Sequence, residues 1–174
     1  MFLSILKKKK GFSLVEILIV IAIIGVLARV VMGSLTSARE KGIFTRAKQD
    51  LHSVAQALEL YSIDNGEYPP DVSRGLPNGI EVYLPSGDWP LSAWPESVFD
   101  WENWVDPETG EPIYQISIRF CPIGGPLADC AFPDEEWAVD FDIDSSVYYC
   151  VEGACRAHVG QPIEYPGYCI NCQP

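Results

Sequence analysis

Between Met1 and Phe120 this chain of 174 residues has no cysteine, so no disulfide constrains its first two thirds internally. Positive charge is nearly missing after Gln49. Only Arg74, Arg119 and Arg156 oppose 22 acidic groups there, a local net of −19 within an overall −12. Such a surface repels phosphate backbones and excludes nonspecific nucleic-acid binding. Histidine is scarce, and neither His52 nor His158 has a nucleophile or ligand cluster beside it in sequence. No glycine-rich phosphate loop, nucleophile elbow or defensible acid/base pair occurs, so the chain does not read as an enzyme. Disorder is excluded by the opposite criterion, because 48% of the residues are apolar.

What is present is lopsided. Nine of the twelve basic residues lie in the first 48 positions, four of them consecutive at Lys7 to Lys10. Gly11 and Phe12-Ser13-Leu14-Val15-Glu16 follow, then twelve uncharged residues from Ile17 to Ala28, then Arg29. A basic block ahead of an apolar run has the form of an export or membrane-insertion signal, with the lysines held on the cytoplasmic side. At 1.5 Å per helical residue, Phe12 to Gly33 reaches roughly 33 Å, enough to span a bilayer. A cleaved secretory signal ending at Val26-Leu27-Ala28 and a plain membrane anchor both match this hydropathy. Neither accounts for Glu16, whose carboxylate costs about 2–3 kcal/mol near the centre of an inserted segment and less towards its end.

The string from Lys10 to Ala28, with Gly11, Phe12 and Glu16 at their spacing, resembles the N-terminal signature of type IV pilins and type II secretion pseudopilins. The resemblance implies that a prepilin peptidase cuts after Gly11, that Phe12 is then N-methylated, and that Glu16 takes part in filament assembly. It further implies partners: further copies of the chain in a helical filament, the peptidase, a pilus or secretion assembly platform, and membrane lipid. The location implied is a single-pass inner-membrane protein before assembly and an extracytoplasmic filament afterwards. Gly33 stands where many relatives carry proline; glycine weakens a helix by about 1 kcal/mol without removing a donor, so a proline-type kink is not implied. The rival reading is a monomeric exported binding or redox domain that uses the N-terminus only as a signal.

Helical character continues beyond the apolar run. No proline interrupts Ser34 to Ser62, and Phe44, Ala47, Leu51, Val54, Leu58 and Tyr61 fall on one helix face at alternating spacings of three and four. Asp64-Asn65-Gly66 is a stop signal. Period-two alternation then predicts half-buried strands over Tyr114–Phe120 and Trp137–Ile143, a hairpin of Val147–Val151 with Cys155–Val159 around Glu152-Gly153-Ala154, and a weaker strand at Ile80–Leu84. Residues 85–112, rich in proline and tryptophan, read as a long packed loop, with Trp89, Trp94, Trp101 and Trp104 anchoring it. The fold class is therefore α+β, a long helix packed on a C-terminal antiparallel sheet. The segments are a leader at 1–11, a membrane or filament-core helix at 12–33, its amphipathic continuation at 34–63, and a globular domain at 64–174. Residues 57–69 and 106–114 also resemble the corresponding stretches of the major pseudopilin of type II secretion, whereas the cysteine-rich end has no counterpart in that pattern.

The six cysteines, Cys121, Cys130, Cys150, Cys155, Cys169 and Cys172, are even in number and lie on the exported side, where disulfides are the default. Fifteen connectivities exist. Cys150 with Cys155 across the expected hairpin, Cys121 with Cys130, and Cys169 with Cys172 make a set of local bridges. A four-thiolate zinc site from Cys150, Cys155, Cys169 and Cys172 is the alternative for those four. Asp140-Phe141-Asp142-Ile143-Asp144 lacks the glycine and glutamate of a calcium-binding EF loop, since Ser145 and Val151 stand at those positions. The better calcium candidate comes from the resemblance, because major pseudopilins hold Ca2+ in a loop that maps near Asp106, Glu108 and Glu111.

Overall fold

The computed structural model describes residues 12–106, 109–122, 127–143, 145–153, 155 and 167–172. Gly11, Glu108, Asp144 and His158 fall outside the described residues, as do the four N-terminal lysines and most of the second arm of the expected hairpin. One helix, α1 (Leu14–Asn65), contributes to two compact units, residues 1–42 and 43–174.

In the first unit α1 runs without a break through Gly33, where the Thr36 hydroxyl donates to the Met32 carbonyl at 3.2 Å. Its described large apolar side chains, from Leu14 to Leu35, are exposed. In the second unit α1 ends as its sequence specifies. Gly66 takes φ +82°, a left-handed conformation that costs glycine little, and its N–H donates to the Ser62 carbonyl at 2.8 Å.

Four strands follow: β1 (Val98–Val105), β2 (Pro112–Arg119), β3 (Ser146–Gly153) and β4 (Gly167–Cys169), in that order across one sheet. The β1–β2 and β2–β3 pairs are antiparallel, and β3–β4 is parallel. Register opposes Phe99 to Ile118, Trp101 to Ile116 and Ile118 to Val147, so these side chains share one face. That face and the α1 stripe form a single buried cluster containing Ala47, Leu51, Val54 and Leu58, each fully buried. Burying a leucine of this kind contributes about 1.5–3 kcal/mol. Rings close the margins: Phe44 meets Tyr168 edge-on at 5.4 Å, and His52 Nδ1 lies 3.1 Å from the Tyr149 hydroxyl. Tyr68, just past the helix, donates to Glu152 Oε2 at 3.0 Å; burial first and that carboxylate second push its phenol up to about 12.

Several expectations need correction. Ile80–Tyr83 is a 3-10 turn, not a strand: Ile80 and Leu84 are buried in the core and Tyr83 packs partly against it, while Val82 is 77% exposed. Trp137–Ile143 is not a strand either, because Glu136–Ala138 forms a 3-10 turn and Val139 points outward at 76% exposure. Its alternation broke because Trp137 and Phe141 pack against each other at 5.5 Å, a four-residue spacing that suits a coiled segment better than a strand. Part of the presumed loop 85–112 is β1, and Trp101 is a buried strand residue whose indole donates to the Pro69 carbonyl at 2.9 Å. Finally, β2 is buried on both faces. Gln115, Ser117 and Arg119 are as enclosed as the apolar residues between them.

Candidate functional site

The polar face of the sheet explains that double burial. Asp100 and Glu102 on β1 stand on the same face as Gln115, Ser117 and Arg119 on β2. Arg119 Nε bonds Asp100 Oδ2 at 2.6 Å, and Arg119 Nη2 bonds Glu102 Oε1. Gln115 Nε2 donates to Glu102 Oε2 at 2.7 Å, and the Arg74 N–H donates to Asp100 Oδ1 at 2.7 Å. Burial alone lowers the Arg119 pKa, but the Glu102 and Asp100 charges outweigh it and raise the value above the ordinary one. A polar cavity of about 250 Å³ opens beside this network, lined by Asp71, Ser73, Asp100, Glu102, Trp104 and Arg119. The Asp100 and Glu102 carboxylates are committed to the Arg119 guanidinium, which makes the cluster a structural clamp between β1 and β2.

The N-terminal end of α1 is of a different kind. Phe12 is 85% exposed, and among the described side chains the large apolar ones from Leu14 to Leu35 are all exposed. The segment is long and apolar enough to cross a membrane, and none of it is buried within the chain. A stretch that is apolar all round needs a non-aqueous environment supplied from elsewhere, either lipid or other apolar helices.

Glu16 sits in the first turn of that helix and has a local partner. The Ser13 N–H donates to Glu16 Oε2 at 2.8 Å, while the Val15 N–H donates to Ser13 Oγ at 3.3 Å. This is a capping box, in which a serine at the N-cap and a glutamate three residues on satisfy donors that the helix leaves free. The Ser13-x-x-Glu16 spacing was legible in the sequence and gives Glu16 a role that hydropathy does not suggest.

The candidate calcium loop joins β1 to β2. The Asp106 N–H donates to the Glu111 carbonyl at 2.9 Å, and the Gly110 N–H donates to the Asp106 carbonyl at 2.8 Å. These are backbone contacts. Glu108 is not among the described residues, so the three carboxylates are not seen together.

The cysteines pair as Cys121–Cys130, Cys150–Cys155 and Cys169–Cys172, with Cα separations of 4.2, 5.8 and 5.5 Å. The first pair closes a loop just after β2. The other two meet, because Tyr148 on β3 is opposite Cys169 on β4 and Cys150 is two residues further along the same face. Cys150 Sγ thus lies 3.5 Å from Cys172 Sγ and 4.0 Å from Cys169 Sγ. Sequence spacing could not show this, because β4 is only three residues long and parallel to β3.

A family model described as the prokaryotic N-terminal methylation motif matches residues 6–28. The type II secretion system core protein G of Escherichia coli K12 is 40% identical over 75 residues, covering 43% of this chain and 51% of that protein. Core protein G of Pectobacterium carotovorum is 42% identical over 69 residues, covering 40% and 44% respectively. Core protein G of Pseudomonas aeruginosa is 37% identical over 70 residues, covering 40% and 49%. The chain spans about half the length of these curated relatives. No solved structure matches it.

Proposed function

We propose that this chain is a structural subunit of a type II secretion pseudopilus or a type IV pilus, and that it polymerises through its N-terminal helix. The observation that carries the reading is the first stretch of α1 from Leu14, whose described large apolar side chains are exposed and which overlaps a methylation motif over residues 6–28. In the membrane, lipid covers that surface; in a filament, the same surface of neighbouring copies replaces lipid. The likeness to core protein G favours the secretion pseudopilus over the other filaments.

Processing follows from the same reading. A prepilin peptidase cuts after Gly11 and leaves Phe12 with a free α-amine, which is then methylated and stays protonatable with a reference pKa of about 8. In the apolar filament core this cation attracts the Glu16 carboxylate of a neighbouring copy, and either charge left alone there is heavily penalised. The pair sets the axial register of assembly. Beyond the helix, the acidic domain faces outward, its β2 exit loop closed by the Cys121–Cys130 disulfide. The Asp106–Glu111 loop is the candidate Ca2+ position on that domain.

Mass spectrometry of the chain recovered from membranes tests the processing. The expected mature form begins at Phe12 and carries one added methyl group. A chain beginning at Arg29 would instead identify an ordinary secretory signal and support the monomeric exported domain.

A further inference from the structure

Three of the six sulfurs, those of Cys150, Cys169 and Cys172, converge at the edge of the sheet, and Cys155 is bonded to the first of them. Cys150 comes from β3, Cys155 follows the end of β3, and Cys169 and Cys172 come from β4 and the turn after it. Among the described residues, Cys150, Cys169 and Cys172 form a group whose sulfurs all lie within 4.8 Å of one another, and Cys155 is the pairing partner of Cys150. Two independent local disulfides have no need to meet in this way. A tetrahedral thiolate centre does: zinc–sulfur bonds of about 2.3 Å put the sulfurs roughly 3.8 Å apart. The observed 3.5 and 4.0 Å between Cys150 and the Cys169/Cys172 pair bracket that value.

The surroundings are those of a built site. Cys172 N–H donates to Cys169 Sγ at 3.1 Å, the kind of contact that steadies a thiolate and orients a metal-binding turn. Asn171, inside the Cys169-Ile170-Asn171-Cys172 turn, fastens that turn to the opposite strand. Its Oδ1 accepts from Cys150 N–H at 2.8 Å, and its Nδ2 donates to the Cys150 carbonyl at 2.8 Å. Gly167 allows the approach, since a Cβ there would come within 2.8 Å of the Tyr148 ring. Cys155 is 3% exposed and the other three are half-buried, so the sulfurs are shielded from bulk water without being closed off.

We propose that Cys150, Cys155, Cys169 and Cys172 form a tetrathiolate site for Zn2+ in the reduced protein, of which the two disulfides are the oxidised form. Two equivalents of a dithiol reductant convert the two disulfides into four thiols, each dithiol becoming a disulfide. Zn2+ then binds the four sulfurs with release of four protons. Soft thiolate donors in a tetrahedral set select zinc over calcium or magnesium. The metal fastens the C-terminal turn to β3 as the disulfides alone do not, because each of those closes only its own local loop. Cys121 and Cys130 lie outside this cluster and take no part. The inference does not depend on the filament reading.

The test uses the full chain, extracted in detergent, reduced under anaerobic conditions and freed of reductant. Titration with Zn2+ against a chromophoric chelator is expected to give one bound ion per chain. Co2+ is expected to give the visible bands of a tetrahedral all-thiolate centre. A Cys121→Ser/Cys130→Ser double variant keeps both signals. A Cys169→Ser/Cys172→Ser double variant loses the cobalt bands and weakens zinc binding at least about a hundredfold. Absence of stoichiometric zinc, a cobalt spectrum of an octahedral or mixed-ligand centre in the unmutated chain, or equal loss of binding in both double variants overturns the proposal. The spectrum of the unmutated chain decides the matter even where a variant fails to fold.

Discussion

Glu16 carries two separable interactions, and they make opposite demands on a substitution. As the third helical residue it accepts the Ser13 N–H, which glutamine also does. As the proposed partner of the Phe12 α-amine it must be charged. Glu16→Gln therefore keeps the helix start and loses the ion pair, whereas Glu16→Ala loses both. Both variants are expected to insert and to be cleaved after Gly11, and both are expected to enter filaments at about a tenth of the wild-type level or less, because each strands a buried ammonium. Quantifying processed chain in the sheared-filament fraction checks this. Wild-type abundance for Glu16→Gln would reduce Glu16 to a helix cap. At this same scale the buried Arg119 shows what charge does when its role is packing. Both of its neighbouring carboxylates are enclosed with it.

Among the elements, the second half of α1 is the one whose sequence and packing agree most fully. Leu58 is fully buried in the shared cluster, while Leu60, two residues on, is 52% exposed. Leu58→Ala is expected to cost about 2–5 kcal/mol. Leu60→Ala, at an exposed position, is expected to stay within about 0.5 kcal/mol. Thermal or urea unfolding followed by near-ultraviolet dichroism separates the two. That helix was legible because its stripe has one period and one buried face, and its end because Asn65-Gly66 allows few other structures. The strands were less so. Tyr114–Phe120 was found by alternation, but its polar residues looked solvent-facing, and only the partner strand shows that Asp100 and Glu102 cover them. Val98–Val105 was missed because only Phe99-Asp100-Trp101-Glu102 alternates before Asn103-Trp104 breaks the pattern, inside a stretch whose prolines and tryptophans read as a loop. Trp137–Ile143 showed the converse error: apparent alternation arose from aromatic residues that pack together in a turn. Spacing could name Cys150, Cys155, Cys169 and Cys172 as an alternative zinc set but could not bring them together, since Cys150 and Cys169 meet only through a parallel pairing.

The whole chain divides its chemistry by region. Its N-terminal stretch is basic and then apolar with a single carboxylate, and it is there that the methylation motif lies. Its remainder is strongly acidic and holds all the cysteines. The likeness to core protein G extends over less than half the chain. On the proposed reading, the exposed apolar stretch of the helix is covered by other copies of the chain, while the acidic domain keeps its own buried core. Filament entry is thus the central claim. The most direct measurement is electron microscopy of cells overproducing the chain, with gold-labelled antibody against residues 43–174 and mass spectrometry of the sheared material. The account predicts labelled filaments whose chains begin at methylated Phe12. Chains that are processed at Gly11 yet remain only as single, detergent-soluble molecules in the membrane would contradict it.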